Sequence, residues 1–301
     1  MLLTRAIFQC PGYNLVRSRS LVHSSSKLIV SVGLLLSIAL PQHNEVLVFR
    51  VHLDATSSLG GLDLNASALS ADEVAKAERY LIERVRNRYV VSRLALRYLL
   101  GRMLGEDWGQ IGFSYGKWGK PQLNRLLVPG LHFNVSHCEG WAAIAFSQKE
   151  IGVDLEIPRP RLKARAVLPQ ILTEEEQTAW RGIPAATQES EALQLWTCKE
   201  ALLKAMGLGI AEGLQKIRFP IARLKDKAFA PEAISPSLQL YLDDAGDCRM
   251  THWTDASSWR LYRLSLLDRA ACAVATPLKK PRFRIRDFDA SRMLSGKFDE
   301  S

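Results

Sequence analysis

"IGVDLEI", residues 151–157, alternates without interruption: Ile151, Val153, Leu155 and Ile157 fall on one face of an extended strand, and Gly152, Asp154 and Glu156 on the other. Two readings of the paired carboxylates are open. They can be the wet face of a half-buried strand. Alternatively, they can form part of a divalent-metal site, because same-face strand residues two apart lie roughly 7 Å apart at Cα and can aim their oxygens at one hard cation.

Upstream, "LHFNVSH" (131–137) and "WAAIAFS" (141–147) read as two strands around the loop "CEG", and "VLVFRVHL" (46–53) as an earlier one. Between them, residues 70–104 form a long helical stretch with one possible break, opened by a capping box of Ser70 and Glu73. "YGKWGKPQL" (115–123) reads as a turn. Downstream, Thr173 with Glu176 caps a helix, and a second helix runs through "ESEALQLWTCKEALLKAM" to a C-terminal stop at Gly207. Strands are expected at 214–224, 237–244, 249–255, 259–267 and 270–276. Helix-rich portions leading into antiparallel strands, twice over, predict an α+β protein of two similar lobes. The segments are an extension over 1–45, lobes over 46–150 and 151–278, and a charged, mobile tail over 279–301.

The chain has 301 residues, 47% hydrophobic and 24% charged, an ordinary globular composition, with a net charge of +9 that favours anionic partners. Five scattered cysteines without CxxC spacing argue against a disulfide framework or a zinc site and suit a reducing, cytoplasmic compartment. Residues 1–44 hold no Asp or Glu but several Arg and Ser, and end in the apolar run 28–40. A transit peptide, an anchor and an upstream start codon all fit them, although the run is shorter than the ~18 to 20 residues of a spanning helix. No membrane segment is expected in the core.

In "LWTCKEALLKAMG" (195–207) a helix brings Trp196, Glu200, Leu203 and Lys204 to one side and turns Lys199 away. Taken alone, Glu200 and Lys204 make an i, i+4 surface pair worth only a few tenths of a kcal/mol. Taken with the opening strand, "GVDLE" followed by "WTCKEALLK" resembles the signature pair of the 4′-phosphopantetheinyl transferases, (V/I)GxDxE and (F/W)(S/T/C)xKE(A/S)xxK. "FNVSHCEG" looks like the family's FNxSHxxG segment, and "GKP" like its GKP turn. The resemblance runs from Val46 to Thr276, and the lobe preceding "IGVDLE" is similar to that of the long, surfactin-synthetase-activating form.

This resemblance implies a monomer with pseudo-two-fold lobes and an active site between them. Coenzyme A would donate its 4′-phosphopantetheine arm to a serine of an apo acyl- or peptidyl-carrier protein, releasing adenosine 3′,5′-bisphosphate. Mg²⁺ would be held by Asp154, Glu156 and Glu200. Glu200 would also act as base, and Lys204 would steady phosphate charge. Ser136 and His137 would grip the coenzyme A phosphates, with Lys120, Arg84 and Arg88 as candidates for the 3′-phosphate. A catalytically silent relative that binds coenzyme A or a carrier is the alternative, and the intact Asp154, Glu156, Glu200 and Lys204 weigh against it. A nucleic-acid binder rests on charge alone, and "RFRIRDF" (282–288) lacks the interleaved glycines of such a segment.

Overall fold

Two four-stranded sheets lie between two long helices, and β6, Gly152–Glu156, borders the junction between the sheets. The computed structural model describes residues 38–54, 68–123, 130–159, 164–209, 213–234 and 255–295. The expected strand at 237–244 and all but Asp255 of the one at 249–255 lie outside the described residues, as does the extension up to residue 37.

The first sheet is ordered β12-β1-β5-β4, with β1 Glu45–His52, β4 His132–Cys138, β5 Trp141–Ser147 and β12 Arg282–Phe288. The second is ordered β6-β11-β10-β8, with β8 Ala228–Phe229, β10 Arg260–Arg263 and β11 Ala271–Thr276. Two short pairs complete the strands: β2 Phe113–Tyr115 with β3 Pro121–Leu123, and β7 Ile217–Arg218 with β9 Ala233–Ile234. Helices α1 Ala71–Glu78 and α2 Glu83–Leu104 follow β1. After β6 come α3 Leu168–Ile171, α4 Glu174–Trp180 and α5 Gln188–Met206, and α6 Ala290–Leu294 follows β12. This is an α+β architecture. Among the described residues no helix is long and apolar enough to cross a membrane.

Strand periodicity builds the layers. In β1, Leu47, Phe49 and Val51 join α2's Val90, Leu94 and Leu99 in one core, while Val46 and Val48 face the other way. There they meet Val153, Leu155 and Val274 in a core between the sheets. In β11, Ala273 and Ala275 face α5. Each strand of this centre is covered on both faces, and burying one large aliphatic side chain contributes about 1.5 to 3 kcal/mol.

Both capping-box carboxylates do more than cap. Glu73 is 1% exposed and accepts from the Ser70 amide (2.9 Å), Arg93 Nε (2.6 Å) and Arg97 Nε (2.7 Å). Burial opposes its charge, but Arg93, the Ser70 amide and Arg97 together outweigh burial and hold its pKa below the ordinary value of 4.5. A depressed folded-state pKa means stability that is present above the unfolded value and lost as pH falls through the folded one. Glu73→Gln is therefore expected to cost about 1 to 3 kcal/mol at neutral pH and to flatten the loss of stability below pH 4.5. Urea titrations across that range check both points.

Two expectations are corrected. Residues 282–294, read as part of a mobile tail, form an edge strand parallel to β1, with Phe283 opposite Val46 and Phe288 opposite Val51, followed by α6. Phe283 joins the core between the sheets, and Phe288 and Met293 the α2 core, which anchors a charged segment. Residues 214–224, read as one strand, contribute only β7 between two 3-10 turns, Leu214–Lys216 and Ile221–Arg223. Pro220, which has no N–H to give a ladder, stands before the second turn.

Candidate active site

The carboxylate face of β6 lies against a helix, with Asp154 buried and Glu156 half-buried at its end. Gly152, Asp154 and Glu156 point toward α5, which runs so closely over the strand that a Cβ on Gly152 would lie 2.0 Å from the Ala201 carbonyl oxygen and 2.3 Å from the Ala205 nitrogen. Asp154 is 1% exposed, so the wet-face reading does not hold for it.

One turn of α5 supplies the partners. Asp154 Oδ1 accepts from Lys204 Nζ (2.5 Å) and from the Ser136 hydroxyl (2.8 Å), and Lys204 Nζ stands 3.6 Å from Glu200 Oε2. Ser136 Oγ also accepts from Lys204 Nζ (3.1 Å) and the Leu155 amide (3.2 Å). Its proton and both lone pairs are thus committed. Glu156 Oε2 accepts from the Cys138 thiol at 3.3 Å. Burial first, then the charges of Asp154 and Glu156, push the Glu200 carboxyl up to about 7, and burial with Asp154 raises Glu156. Burial opposes the charge on Lys204, but the Asp154 and Glu200 carboxylates outweigh it and hold the ammonium above its usual pKa. A cavity of about 420 Å³ opens beside Glu156, lined among others by Arg159, Leu193, Gln194 and Arg263.

Asp154 Oδ2 is buried and accepts no hydrogen bond, and two carboxylates, Asp154 and Glu200, share one ammonium with Glu156 close by. Hard oxygen donors with surplus negative charge fit Mg²⁺. Among the described residues no three His, Cys, Asp or Glu side chains already converge in a metal-ready group. The carboxylates are therefore neighbours around Lys204, not a formed cage.

The other predicted residues lie apart from this centre. His137 keeps solvent contact, yet the surrounding protein, then the positive charges of Lys204 and Lys76, lower its pKa. Lys120 donates to the carbonyls of Ala205 (2.9 Å) and Ile151 (3.2 Å), joining the GKP turn to the end of α5, and burial pushes it down to about 8. Arg88 makes a two-point pair with Asp54, Nε to Oδ1 at 2.7 Å and Nη2 to Oδ2 at 2.6 Å, while exposed Arg84 adds its charge to the same carboxylate. That pair packs where a Cβ on Gly140 would sit 2.6 Å from Asp54 Oδ2, and Gly140 has φ of +102°. Only glycine suits that turn.

The sequence reading missed two features. Lys199, expected merely to point away, is fully buried, its Nζ facing Glu176 Oε2 (2.7 Å) and the carbonyls of Ile171 (2.6 Å), Leu214 (2.8 Å) and Ile217 (2.8 Å). Cys138 was passed over as part of a loop, although Asn134, Ser136 and Cys138, small polar residues at alternate positions, are a signal for one strand face put to use.

Residues 150–275 match the profile described as the 4′-phosphopantetheinyl transferase superfamily, and residues 40–149 match that of the 4′-phosphopantetheinyl transferase N-terminal region. The 4′-phosphopantetheinyl transferase HetI of a Nostoc species is 34% identical over 203 residues, 67% of this chain and 84% of the relative. The chain belongs to the 4′-phosphopantetheinyl transferase superfamily. The transferase Sfp of Bacillus subtilis is 24% identical over 164 residues, 54% of this chain and 71% of its own. The mouse L-aminoadipate-semialdehyde dehydrogenase-phosphopantetheinyl transferase is 26% identical over 131 residues, 39% of this chain and 41% of its own. As a phosphopantetheinyl transferase the chain is an enzyme, and both signature motifs fall within the superfamily match.

Proposed function

We propose that this phosphopantetheinyl transferase moves the 4′-phosphopantetheine arm of coenzyme A onto a serine of an apo acyl- or peptidyl-carrier protein, in the presence of Mg²⁺, and releases adenosine 3′,5′-bisphosphate. The observation that carries the reading is the meeting of both signature motifs in one buried cluster, Asp154 with Lys204 at 2.5 Å and Glu200 beside them.

Asp154, Glu156 and Glu200 are the residues that would hold the cation, which when bound supplies positive charge against the phosphoryl oxygens. Lys204, 26% exposed on its outer side, offers its ammonium to the phosphate that carries the pantetheine arm. Glu200 accepts the proton of the carrier serine as its oxygen attacks phosphorus and the bond to the bisphosphate breaks. Ser136 holds Asp154 and Lys204 in place, and His137, with Lys120, Arg84 and Arg88, forms the more distant anion-binding surface. The lobes over 46–150 and 151–278 are proposed to be pseudo-two-fold equivalents in a monomer. A sheet backed by one long helix in each supports this, three strands of the first sheet coming from 46–150 and the fourth, β12, from beyond both.

Intact mass spectrometry of apo carrier proteins after incubation with the enzyme, coenzyme A and Mg²⁺ tests the proposal. The expected result is a gain of one phosphopantetheine arm that disappears with EDTA and returns with added Mg²⁺. No gain on acyl- or peptidyl-carriers, with coenzyme A still bound, would instead identify a silent relative.

A further inference from the structure

β6 has two edges, and they are satisfied differently. On one side it pairs with β11, with Asp154 opposite Ala273 and Glu156 opposite Ala271. On the other side its partner is a row of side chains from β4. The Val153 amide donates to Asn134 Oδ1 (2.9 Å), the Leu155 amide to Ser136 Oγ (3.2 Å) and the Ile157 amide to Cys138 Sγ (3.4 Å).

The row has a repeat. Ser136 accepts one β6 amide and donates to the carboxylate just before it, Asp154, at 2.8 Å. Cys138, two residues on, accepts the next alternate amide and donates to the carboxylate just before that one, Glu156, at 3.3 Å. Asn134 sits at the equivalent place one step earlier, where the preceding residue is Gly152. Cys138 is 4% exposed, and its sulfur also accepts from Arg159 Nη2 at 3.4 Å.

From this repeat we infer that Cys138 is a positioning residue for Glu156, doing for the second carboxylate what Ser136 does for the first. The thiol acts through Glu156 and does not touch the reacting atoms. The inference rests on the reading that Asp154, Glu156 and Glu200 hold a divalent cation. Groups that orient a ligating carboxylate typically change metal affinity about 10- to 100-fold when removed. A hydroxyl can make the same three contacts, as Ser136 does next door.

The test is titration of Mn²⁺ into the full chain with coenzyme A present, following the free-ion paramagnetic resonance signal, for the wild type, Cys138→Ala and Cys138→Ser. Cys138→Ala is expected to bind Mn²⁺ about 10-fold more weakly or worse, and Cys138→Ser as tightly as the wild type. In transfer assays Cys138→Ala should need correspondingly more Mg²⁺ for half-maximal rate, with kcat at saturating Mg²⁺ far less affected. Unchanged Mn²⁺ affinity in Cys138→Ala overturns the inference. So does a Cys138→Ser protein as weak as Cys138→Ala, and this arm remains decisive if the alanine variant does not fold. A wild type that binds no Mn²⁺ overturns the underlying reading of the carboxylates and the inference with it.

Discussion

Gly152→Ala is expected to lower the melting temperature by about 6 °C or more and to cut transfer about 100-fold even where the protein is still folded. The added methyl would meet backbone on α5, at 2.0 Å from Ala201 O, 2.3 Å from Ala205 N and 2.9 Å from Ala205 Cα. Backbone atoms of a packed helix cannot rotate aside as the end of a flexible side chain can, so strand and helix must separate. Overpacking of this kind costs about 3 kcal/mol or more, which is roughly 6 to 12 °C in a domain of 150 to 250 residues. The same displacement carries Glu200 and Lys204 away from Asp154, and a misplacement of about 1 Å is enough for a 100-fold loss. Thermal unfolding, with transfer rates measured well below the new midpoint, checks both effects. A variant with wild-type melting and wild-type rate would show that α5 does not rest on Gly152.

Asp154→Asn should behave in the opposite way, with activity lost and the fold retained. The amide preserves the shape of the carboxylate and still offers an oxygen to Lys204 and Ser136. Removing a preorganised charge from a phosphoryl-transfer centre is expected to lower kcat/KM by about 10²- to 10³-fold. Losing a paired carboxylate from a protein interior is usually destabilising. Here, however, Lys204 keeps Glu200 nearby and has water on its open side. Asp154 is also the largest charge raising the Glu200 pKa, so its neutralisation relieves repulsion. The melting temperature should stay within about 2 °C of wild type, or rise, which corresponds to less than ~1 kcal/mol. A large fall in melting temperature alongside the activity loss would mean that Asp154 is first a structural residue.

Local pattern carried much of this fold and site into view. The alternation at 151–157, the capping boxes at Ser70 and Thr173 and the stop at Gly207 are all short-range signals, and each element is where its signal places it. Periodicity also put Asp154 and Glu156 on one face, and Glu200 and Lys204 on one side of α5. It could not say what covers a face. The acidic side of β6 therefore read as wet or metal-binding, and although Gly152 leaves room for a close backbone or ligand, nothing local names α5 as the segment above it. Ser136 was expected to grip a phosphate, but its hydroxyl is committed to Asp154, Lys204 and the Leu155 amide. Lys199 shows the same limit. Its partners Glu176, Ile171, Leu214 and Ile217 come from three other segments, and no local rule links them. Strand β12 was hidden by its three arginines at alternate positions, because a charge-rich edge strand and a solvated tail have similar compositions.

That last strand also sets an order of events for the newborn chain. β1 is central in its sheet, yet one of its two neighbours is made of residues 282–288, more than two hundred positions later, as the Arg50 to Asp287 ion pair at 2.5 Å illustrates. While the ribosome is still translating the second lobe, β1 therefore carries an unsatisfied flank of amides and carbonyls, the kind of flank that recruits strands from other molecules. Completion of the first sheet waits for residues 282–288, which follow every other strand of the two sheets, and a chain released before residue 282 would keep that flank open.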